Sequence, residues 1–303
     1  MKFLVQSTAV LDMIILPNTA ETIEAPGGAG LYAMAGMKVW TDEVCLVTGV
    51  GADYAPRFAG WYRQNGLPMD GLRVKHSCTP QTQVRYAPDG TRTEIPLLGE
   101  AHYRHMEVTP KEMEAFCRGC SGMYLFRRDD LAFWQELLAL KRDCGFALLW
   151  EISADAAVPE HLSSVRALAE QVDVFSINQG EAQRLLAVAH LDDAVNCLLS
   201  WNVPLIYLRL GSRGVMLLQR HRCVFVPSVP GITVVDATGG GNSSSGAALV
   251  GYCQGRSLEE IGAMGNVAAS FCIAQWGVPA RFDAALREKA HRRMSLILSM
   301  MQA

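Results

Sequence analysis

The amino-acid sequence predicts an α/β fold in which helices cover both faces of a mainly parallel sheet. Short β-rich apolar runs alternate with helix-period segments along the 303 residues, which is typical of right-handed βαβ units. Hydrophobic residues make up 50% of the chain, enough for a core on both faces of a sheet. A glycine-rich turn late in the chain precedes an apolar helix, and sheets of this kind bind ligands at the carboxyl ends of their strands.

The predicted elements follow one another without a low-complexity linker, so we expect a single domain over residues 1–303. The predicted strands are Phe3–Ser7, Glu43–Thr48, Met123–Phe126, Ala147–Trp150, Val174–Ile177, Leu205–Leu210, Val215–Gln219 and Cys223–Pro227. Segments with helical periodicity include Leu131–Arg142 and Leu258–Gln275.

Two segments depart from this alternation and predict a small β-strand lid. Residues 81–95, QTQVRYAPDGTRTEI, alternate in polarity around Pro-Asp-Gly, which is typical of a hairpin with one solvated face. A second extended segment, residues 13–25, precedes Gly27. We expect both segments to project from the main sheet.

Composition excludes several classes of partner. The formal net charge is −3, which argues against a nucleic-acid partner, since such partners favour basic surfaces. No apolar run reaches the ~18 residues that span a bilayer, so we expect no membrane association. The nine cysteines are scattered rather than densely spaced, which indicates reduced thiols and predicts a cytoplasmic protein.

The segment from Val234 to Gly251 carries the clearest chemical signal. We predict a strand at Val234-Val235, a turn at Gly239–Gly241 and a helix after Asn242. Consecutive glycines permit positive φ and close approach, and their N–H groups can converge on an anion beside the positive end of the helix. Such a turn suits the charge that develops on a transferring phosphoryl group. A flexible loop before a helix remains the alternative.

This segment resembles the signature of the ribokinase-like (PfkB-type) carbohydrate kinases, Asp-Thr-x-Gly-Ala-Gly-Asp followed by a helix. The chain has Asp236-Ala-Thr-Gly-Gly-Gly-Asn242 here, and further similar motifs occur in the family's order along nearly the whole chain. The resemblance implies a three-layer α/β/α sandwich with a small lid, and a kinase that uses ATP and Mg²⁺.

The resemblance also implies roles for individual residues. The implied catalytic residues are Gly239, Gly240, Gly241 and Asn242; the substrate residues are Asp12, Gly27, Gly28 and Tyr32; the nucleotide residues are Gly211, Gly214 and Asn266; and Asn178 and Glu181 would organise Mg²⁺ through water. Each position has a structural alternative, such as a turn cap for Asp12 or helix packing for Asn266. Asn178 and Glu181 also have the spacing of a capping box, which is compatible with the functional role.

Three positions depart from the family pattern. Asn242 stands where the family has its catalytic aspartate, and an amide can orient a hydroxyl but cannot take its proton. Tyr32 stands where many relatives carry an asparagine, and Trp150-Glu151-Ile152-Ser153 lies where relatives often show Asp-x-Asn. These departures argue against ordinary ribose or fructose-6-phosphate specificity.

The leading hypothesis is an ATP- and Mg²⁺-dependent kinase that phosphorylates a hydroxyl of a sugar or sugar-like small molecule. The alternative is a catalytically weak or inactive relative that binds a nucleotide or phosphorylated sugar as a sensor or interaction partner. Recovery of turnover by Asn242→Asp in an inactive protein would favour that alternative. The resemblance also suggests a homodimer that pairs through the lid. A dinucleotide-dependent oxidoreductase is disfavoured, because no Gly-x-Gly-x-x-Gly follows the first strand.

Overall fold

The structure is a computed structural model that describes residues 3–16, 21–86, 92–220 and 222–302. Its strands are β1 (Phe3–Gln6), β2 (Val10–Ile15), β3 (Thr22–Gly27), β4 (Val44–Gly51), β5 (Leu72–His76), β6 (Gln81–Tyr86), β7 (Arg92–Pro96), β8 (Gly122–Arg127), β9 (Ala147–Ile152), β10 (Val174–Asn178), β11 (Leu205–Arg209), β12 (Gly214–Gln219) and β13 (Arg222–Pro227).

The helices are α1 (Ala29–Lys38), α2 (Tyr54–Gln64), α3 (Glu100–His105), α4 (Pro110–Cys117), α5 (Leu131–Cys144), α6 (Leu162–Ala169), α7 (Gln179–Leu185), α8 (Leu191–Leu199), α9 (Gly240–Cys253), α10 (Leu258–Cys272) and α11 (Ala284–Gln302). Short 3₁₀ turns cover Pro159–His161 and Gly211–Arg213. Within the described ranges, no helix is both long enough and apolar enough to cross a membrane.

Nine strands form the main sheet, in the order β13-β12-β11-β10-β9-β8-β1-β4-β5. All neighbouring pairs from β11 to β5 are parallel, whereas the pairs β11–β12 and β12–β13 at one edge are antiparallel. The predicted mainly parallel sheet is therefore confirmed. The parallel strands end at a common edge, and this edge positions most of the site described below.

The two faces of the sheet bury separate cores, as strand geometry requires. Along β1, Phe3 and Val5 join one core while Leu4 joins the other, because successive side chains point to opposite faces. Residues of α1, α2, α9, α10 and α11 cover the first core, and residues of α4 to α8 cover the second. The chain is thus the three-layer α/β/α sandwich that the resemblance implied.

A separate small sheet contains the two segments predicted as a lid. Its order is β3-β2-β6-β7, with β2 parallel to β6 and both outer pairs antiparallel. The hairpin predicted over 81–95 is present as β6 and β7, while its Pro-Asp-Gly turn lies outside the described residues. The extended segment 13–25 belongs to two antiparallel strands, β2 and β3, rather than one. We call these four strands the lid.

The prediction of a strand at Val234-Val235 is wrong. Both side chains are exposed, and neither residue belongs to a described strand. The backbone N–H groups of Val235 and Asp236 instead donate to the carbonyl oxygen of Ile273, 2.8 and 3.2 Å away, just beyond the end of α10. These two hydrogen bonds to a residue distant in sequence override the local β-propensity of two valines.

Candidate active site

The candidate site lies where three neighbouring strands of the main sheet end. β9, β10 and β11 run parallel, with Glu151 opposite Ser176 and Asn178 opposite Arg209 in the register. Because parallel strands present their carboxyl ends at one edge, charged side chains distant in sequence meet there. The N-terminus of α9 approaches the same edge through Asn242.

The glycine turn is built for close approach. Gly239 caps α9 with φ of 72°, in the left-handed region that favours glycine. A Cβ at Gly239 would lie 2.0 Å from the ring of Tyr32, and one at Gly241 would lie 2.2 Å from Nη1 of Arg209. The turn therefore has side chains packed against its backbone on both sides, and no larger residue fits without displacing them.

Asp236, the first residue of the signature, holds this turn in place. It is 2% exposed, and its Oδ1 accepts a hydrogen bond from the backbone N–H of Thr238 at 2.7 Å. The hydroxyl of Tyr86, on lid strand β6, donates to the same oxygen. Asp236 thus connects the glycine turn to the lid, a role that the sequence analysis did not assign.

The residues predicted to contact a nucleotide line one cavity. A cavity of about 450 Å³ is bordered by Gly211, Gly214 and Asn266 on one side and by Gly240 and Gly241 on the other. Most of its remaining wall is apolar, which suits a planar base, while the glycines bring backbone amides to its edge.

Asn266 has a scaffolding contact inside this wall. Its Nδ2 donates to the carbonyl oxygens of Val226 and Pro227 at 3.0 and 2.9 Å, which ties α10 to the end of β13. Its amide nitrogen is therefore engaged by the protein, and a contact with a nucleotide would have to use its oxygen.

Asn178 and Glu181 form a complete capping box at the start of α7. Oδ1 of Asn178 accepts from the N–H of Glu181, and Oε2 of Glu181 accepts from the N–H of Asn178, both at 2.9 Å. Within the described residues, the hydrogen bonds of Glu181 all fall on Oε2. Oε1 is thus left as a hard oxygen donor of the kind that Mg²⁺ or its water shell prefers. The donor set fits the predicted metal role.

Arg209 links this box to the neighbouring strand. Its Nη1 lies 2.7 Å from Oε1 of Glu151, and its Nη2 lies 3.5 Å from Oε2 of Glu181. Burial opposes the charge on Arg209, but the two carboxylates outweigh that effect and raise the pKa of its guanidinium. Arg209 was not among the predicted site residues. A charged residue at the end of the apolar strand Leu205–Arg209 was the available signal.

Asn242 is held by two acceptors. Its Nδ2 donates to Oε1 of Glu151 at 3.0 Å and to the hydroxyl of Tyr124 at 3.2 Å. Because an ionised carboxylate only accepts hydrogen bonds, this network places the nitrogen, not the oxygen, of the amide toward Glu151. No residue in the described ranges donates to Oδ1 of Asn242.

Glu151 is the centre of this network and is 1% exposed. Burial raises the pKa of its carboxyl, and the guanidinium of Arg209 and hydrogen bonds from Ser245 and Tyr124 oppose that effect. The hydroxyl of Tyr124 donates to Oε2 at 2.9 Å. A buried carboxylate of this kind persists only where hydrogen bonds and an opposite charge compensate its desolvation.

The predicted substrate residues gather at the junction of the lid and α1. Asp12 is buried on β2, and a Cβ at Gly27 would lie 1.8 Å from its Oδ2. Gly28 caps α1 with φ of 94°, and a Cβ there would lie 2.6 Å from the carbonyl oxygen of Thr8. The two glycines thus fit tightly against Asp12 and the chain before it.

Tyr32 contributes a buried hydroxyl to this junction. It is 2% exposed, and its hydroxyl has no hydrogen-bond partner in the part of the chain that the structure describes. Burial raises the pKa of Tyr32, and the nearby charges of Asp12 and Asp236 add to the effect. The phenol is therefore neutral and can donate to a ligand.

A second cavity, of about 210 Å³, lies at the ends of β1 and β8, beside Thr48 of β4. Gln6, Ser7 and Thr8 line it, and Gln6 Oε1 and Ser7 Oγ are buried without a partner among the described residues. Thr8 also borders Gly28, so this cavity adjoins the predicted substrate residues. Gln6, Ser7 and Thr8 were not among the predicted site residues.

Comparisons with known proteins agree with this architecture. The family model described as pfkB family carbohydrate kinase matches residues 16–282. The cytidine kinase of Thermococcus kodakarensis is 24% identical over 274 residues, which cover 88% of this chain and 94% of that protein. The ribokinase of Arabidopsis thaliana is 24% identical and covers 85% of this chain and 71% of its own length.

Solved structures match the fold along nearly the whole chain. The adenosine kinase of Sinorhizobium meliloti superposes with a TM-score of 0.80 at 22% identity, covering 96% of this chain and 98% of that one. The structure of Arabidopsis thaliana ribokinase complexed with ribose and ATP superposes with a TM-score of 0.74 at 20% identity, covering 97% of this chain and 98% of that one. With the family match over most of its length, this chain belongs to the pfkB family of carbohydrate kinases and is an enzyme of that type.

Proposed function

We propose that this protein transfers the terminal phosphate of ATP to a hydroxyl of a sugar or sugar-like small molecule. The observation that carries the proposal is the orientation of Asn242. Both of its amide hydrogens are donated to Glu151 and Tyr124, so its carbonyl oxygen is left to accept a hydrogen bond from an acceptor hydroxyl.

The glycine turn and α9 supply the electrostatic part of the reaction. Backbone N–H groups of Gly239 to Gly241 and the positive end of the helix stabilise negative charge on the transferring group. A bond forms between the acceptor oxygen and the phosphorus, and the bond from phosphorus to the leaving oxygen of ADP breaks. Asn242 orients the hydroxyl, whose proton passes to water, to the substrate or to a phosphate oxygen.

The remaining predicted residues hold the partners of the reaction. Asp12, Gly27, Gly28 and Tyr32 would contact the acceptor, and Gly211, Gly214 and the wall beside Asn266 would hold the nucleotide. Asn178 and Glu181 would hold Mg²⁺, which neutralises charge on the phosphate oxygens when bound. A cytoplasmic location remains a prediction.

The names of the relatives narrow the acceptor. Proteins similar to this chain are described as a cytidine kinase, an adenosine kinase and a ribokinase. Ribose or a ribosyl group is common to these three substrates, so we propose a ribose-like hydroxyl as acceptor. The test panel should therefore contain ribonucleosides as well as free sugars.

The test is turnover by the purified protein with ATP and Mg²⁺ against that panel. We expect at least one acceptor to be phosphorylated, and Asn242→Ala to lower kcat about 100-fold because the hydroxyl loses its orienting partner. Asn196→Ala, an exposed change on α8, is the matched control and should leave kcat unchanged. Absence of turnover with every acceptor would contradict the proposal.

A second function is favoured by one observation, the amide at position 242. Because Asn242 cannot accept a proton, the protein would instead bind a nucleotide or a phosphorylated sugar as a sensor or interaction partner. Calorimetry that finds tight binding of an ATP analogue, together with no turnover of any acceptor, would support this alternative. Turnover that disappears in Asn242→Ala would exclude it.

A further inference from the structure

Two of the departures from the family pattern are in direct contact. Glu151 lies near the end of β9 and Asn242 in the first turn of α9, 91 residues apart in sequence, yet Oε1 of one and Nδ2 of the other are 3.0 Å apart. The contact is enclosed, since Glu151 is 1% exposed. The two residues therefore have to be considered as a pair.

The neighbouring side chains determine that the pair must consist of one carboxylate and one amide. Tyr124 donates to Oε2 of Glu151 and accepts from Nδ2 of Asn242, so its hydroxyl requires one acceptor and one donor. Arg209 lies 2.7 Å from Oε1 of Glu151 and requires a negative partner. One carboxylate and one amide satisfy all these groups, whereas two carboxylates or two amides do not.

We propose that Glu151 is a positioning residue matched to Asn242, which fixes the amide so that only its carbonyl oxygen faces the acceptor hydroxyl. This inference rests on the proposed function. The carboxylate of the pair is on β9 instead of at the start of α9, and Arg209 holds it there. Position 242 consequently cannot accept an aspartate while Glu151 is present.

The single substitution Asn242→Asp tests this incompatibility. It would place a carboxylate oxygen where Nδ2 now lies, 3.0 Å from the carboxylate of Glu151 and 3.2 Å from the oxygen of Tyr124. Two buried carboxylates at that distance disfavour each other's charged form. We therefore expect Asn242→Asp alone to lower Tm by about 5 °C or more, and to give no gain in kcat.

The double substitution Glu151→Gln with Asn242→Asp again gives one carboxylate and one amide, with the carboxylate now at position 242. Oε1 of Glu151 contacts both Arg209 and position 242, so the glutamine keeps its oxygen there, facing Arg209, and its Nε2 donates to the hydroxyl of Tyr124, which then donates to the new carboxylate. Net charge is unchanged, and Arg209 keeps an acceptor in the glutamine oxygen and a negative charge one contact away. We expect this double variant to recover most of the lost Tm and to exceed Asn242→Asp in kcat about tenfold or more, with little change in KM for ATP.

A matched control separates pairing from net charge. Glu288→Gln removes one negative charge from the exposed face of α11, where Glu288 pairs with Arg292. Combined with Asn242→Asp it should rescue neither Tm nor kcat. Glu151→Gln alone should lower kcat more than it raises KM for ATP, because the amide of Asn242 loses its fixed orientation.

The outcomes distinguish this inference from the proposed function. A gain in kcat by Asn242→Asp without Glu151→Gln would overturn the pairing, and so would a double variant no better than Asn242→Asp. If neither the wild-type protein nor any variant phosphorylates any acceptor, the proposed function fails. The Tm values of the variants then test the pairing of Glu151 with Asn242. Rescue of Tm by Glu151→Gln supports the pairing, whereas additive losses in Tm overturn it.

Discussion

At the scale of single residues, the contact between Gly239 and Tyr32 makes the glycine turn intolerant of any side chain. Gly239→Ala would put a residue at φ of 72° and a Cβ 2.0 Å from a buried ring. The backbone conformation costs about 1–2 kcal/mol, and overpacking adds about 1–3 kcal/mol. We expect the free energy of unfolding, measured in urea, to fall by about 3 kcal/mol, with loss of binding to an ATP analogue.

The control for this change is Gly231→Ala. Gly231 has nearly the same φ, 70°, but nothing lies within 4 Å of a Cβ placed there. Gly231→Ala should therefore lower the free energy of unfolding only by the backbone contribution of about 1–2 kcal/mol, and nucleotide binding should be kept. Equal losses at the two positions would mean that the ring of Tyr32 moves aside, and that its packing does not shape the turn.

At the scale of elements, α7 begins with a capping box that also faces the site. Asn178→Ala should lower the free energy of unfolding by about 1 kcal/mol, because an N-cap hydrogen bond is lost. If Asn178 also helps to organise Mg²⁺, this variant should need a higher Mg²⁺ concentration for half-maximal turnover. A Mg²⁺ titration of the initial rate measures that shift.

Helix α10 provides the matched comparison. Ser257 and Glu260 form the same capping box at its start, with the N–H of Glu260 donating to Ser257 at 3.2 Å. Ser257→Ala should cost similar stability and leave the Mg²⁺ titration unchanged. If both variants gave identical Mg²⁺ titrations, Asn178 would serve only as the N-cap of α7 and would have no role in organising Mg²⁺.

At the scale of the whole molecule, one nine-stranded sheet is shared by both cores, whereas among the described residues the lid buries only Ile14, Ala25 and Val84 as a core of its own. We propose that the chain is one domain for this reason. Large apolar side chains are exposed on β7 and just after it, with Ile95, Leu97 and Leu98 exposed by 40%, 45% and 42%. Such a patch favours pairing with a second copy.

We therefore predict a homodimer through the lid, measured by sedimentation velocity across a range of concentrations. Leu97→Glu should shift the protein toward monomer, because a carboxylate would be buried without a partner at the interface. Leu131→Glu is the control, since Leu131 is 61% exposed on α5, a helix that covers the second core and is not part of the lid. A wild-type protein that stays monomeric at all concentrations would contradict the prediction.

Much of the fold could be predicted because its determinants are local. The short apolar run of β1, the alternation of strands with helices and the glycine turn before α9 are all visible in short segments of sequence. The strand predicted at Val234-Val235 failed for the opposite reason. Its backbone is bound by Ile273, which lies more than thirty residues further along the chain.

The α/β architecture, the family resemblance and the amide at position 242 follow from the sequence alone. The contacts of that amide depend on how the chain folds. Glu151 on β9 and Tyr124 on β8 contact Asn242, and Arg209 on β11 contacts Glu151; the parallel sheet brings these side chains together beside the start of α9. Asn242 alone indicates a missing proton acceptor, whereas Asn242 beside a buried carboxylate indicates a matched pair, since charge in a buried site is set by all of its neighbours.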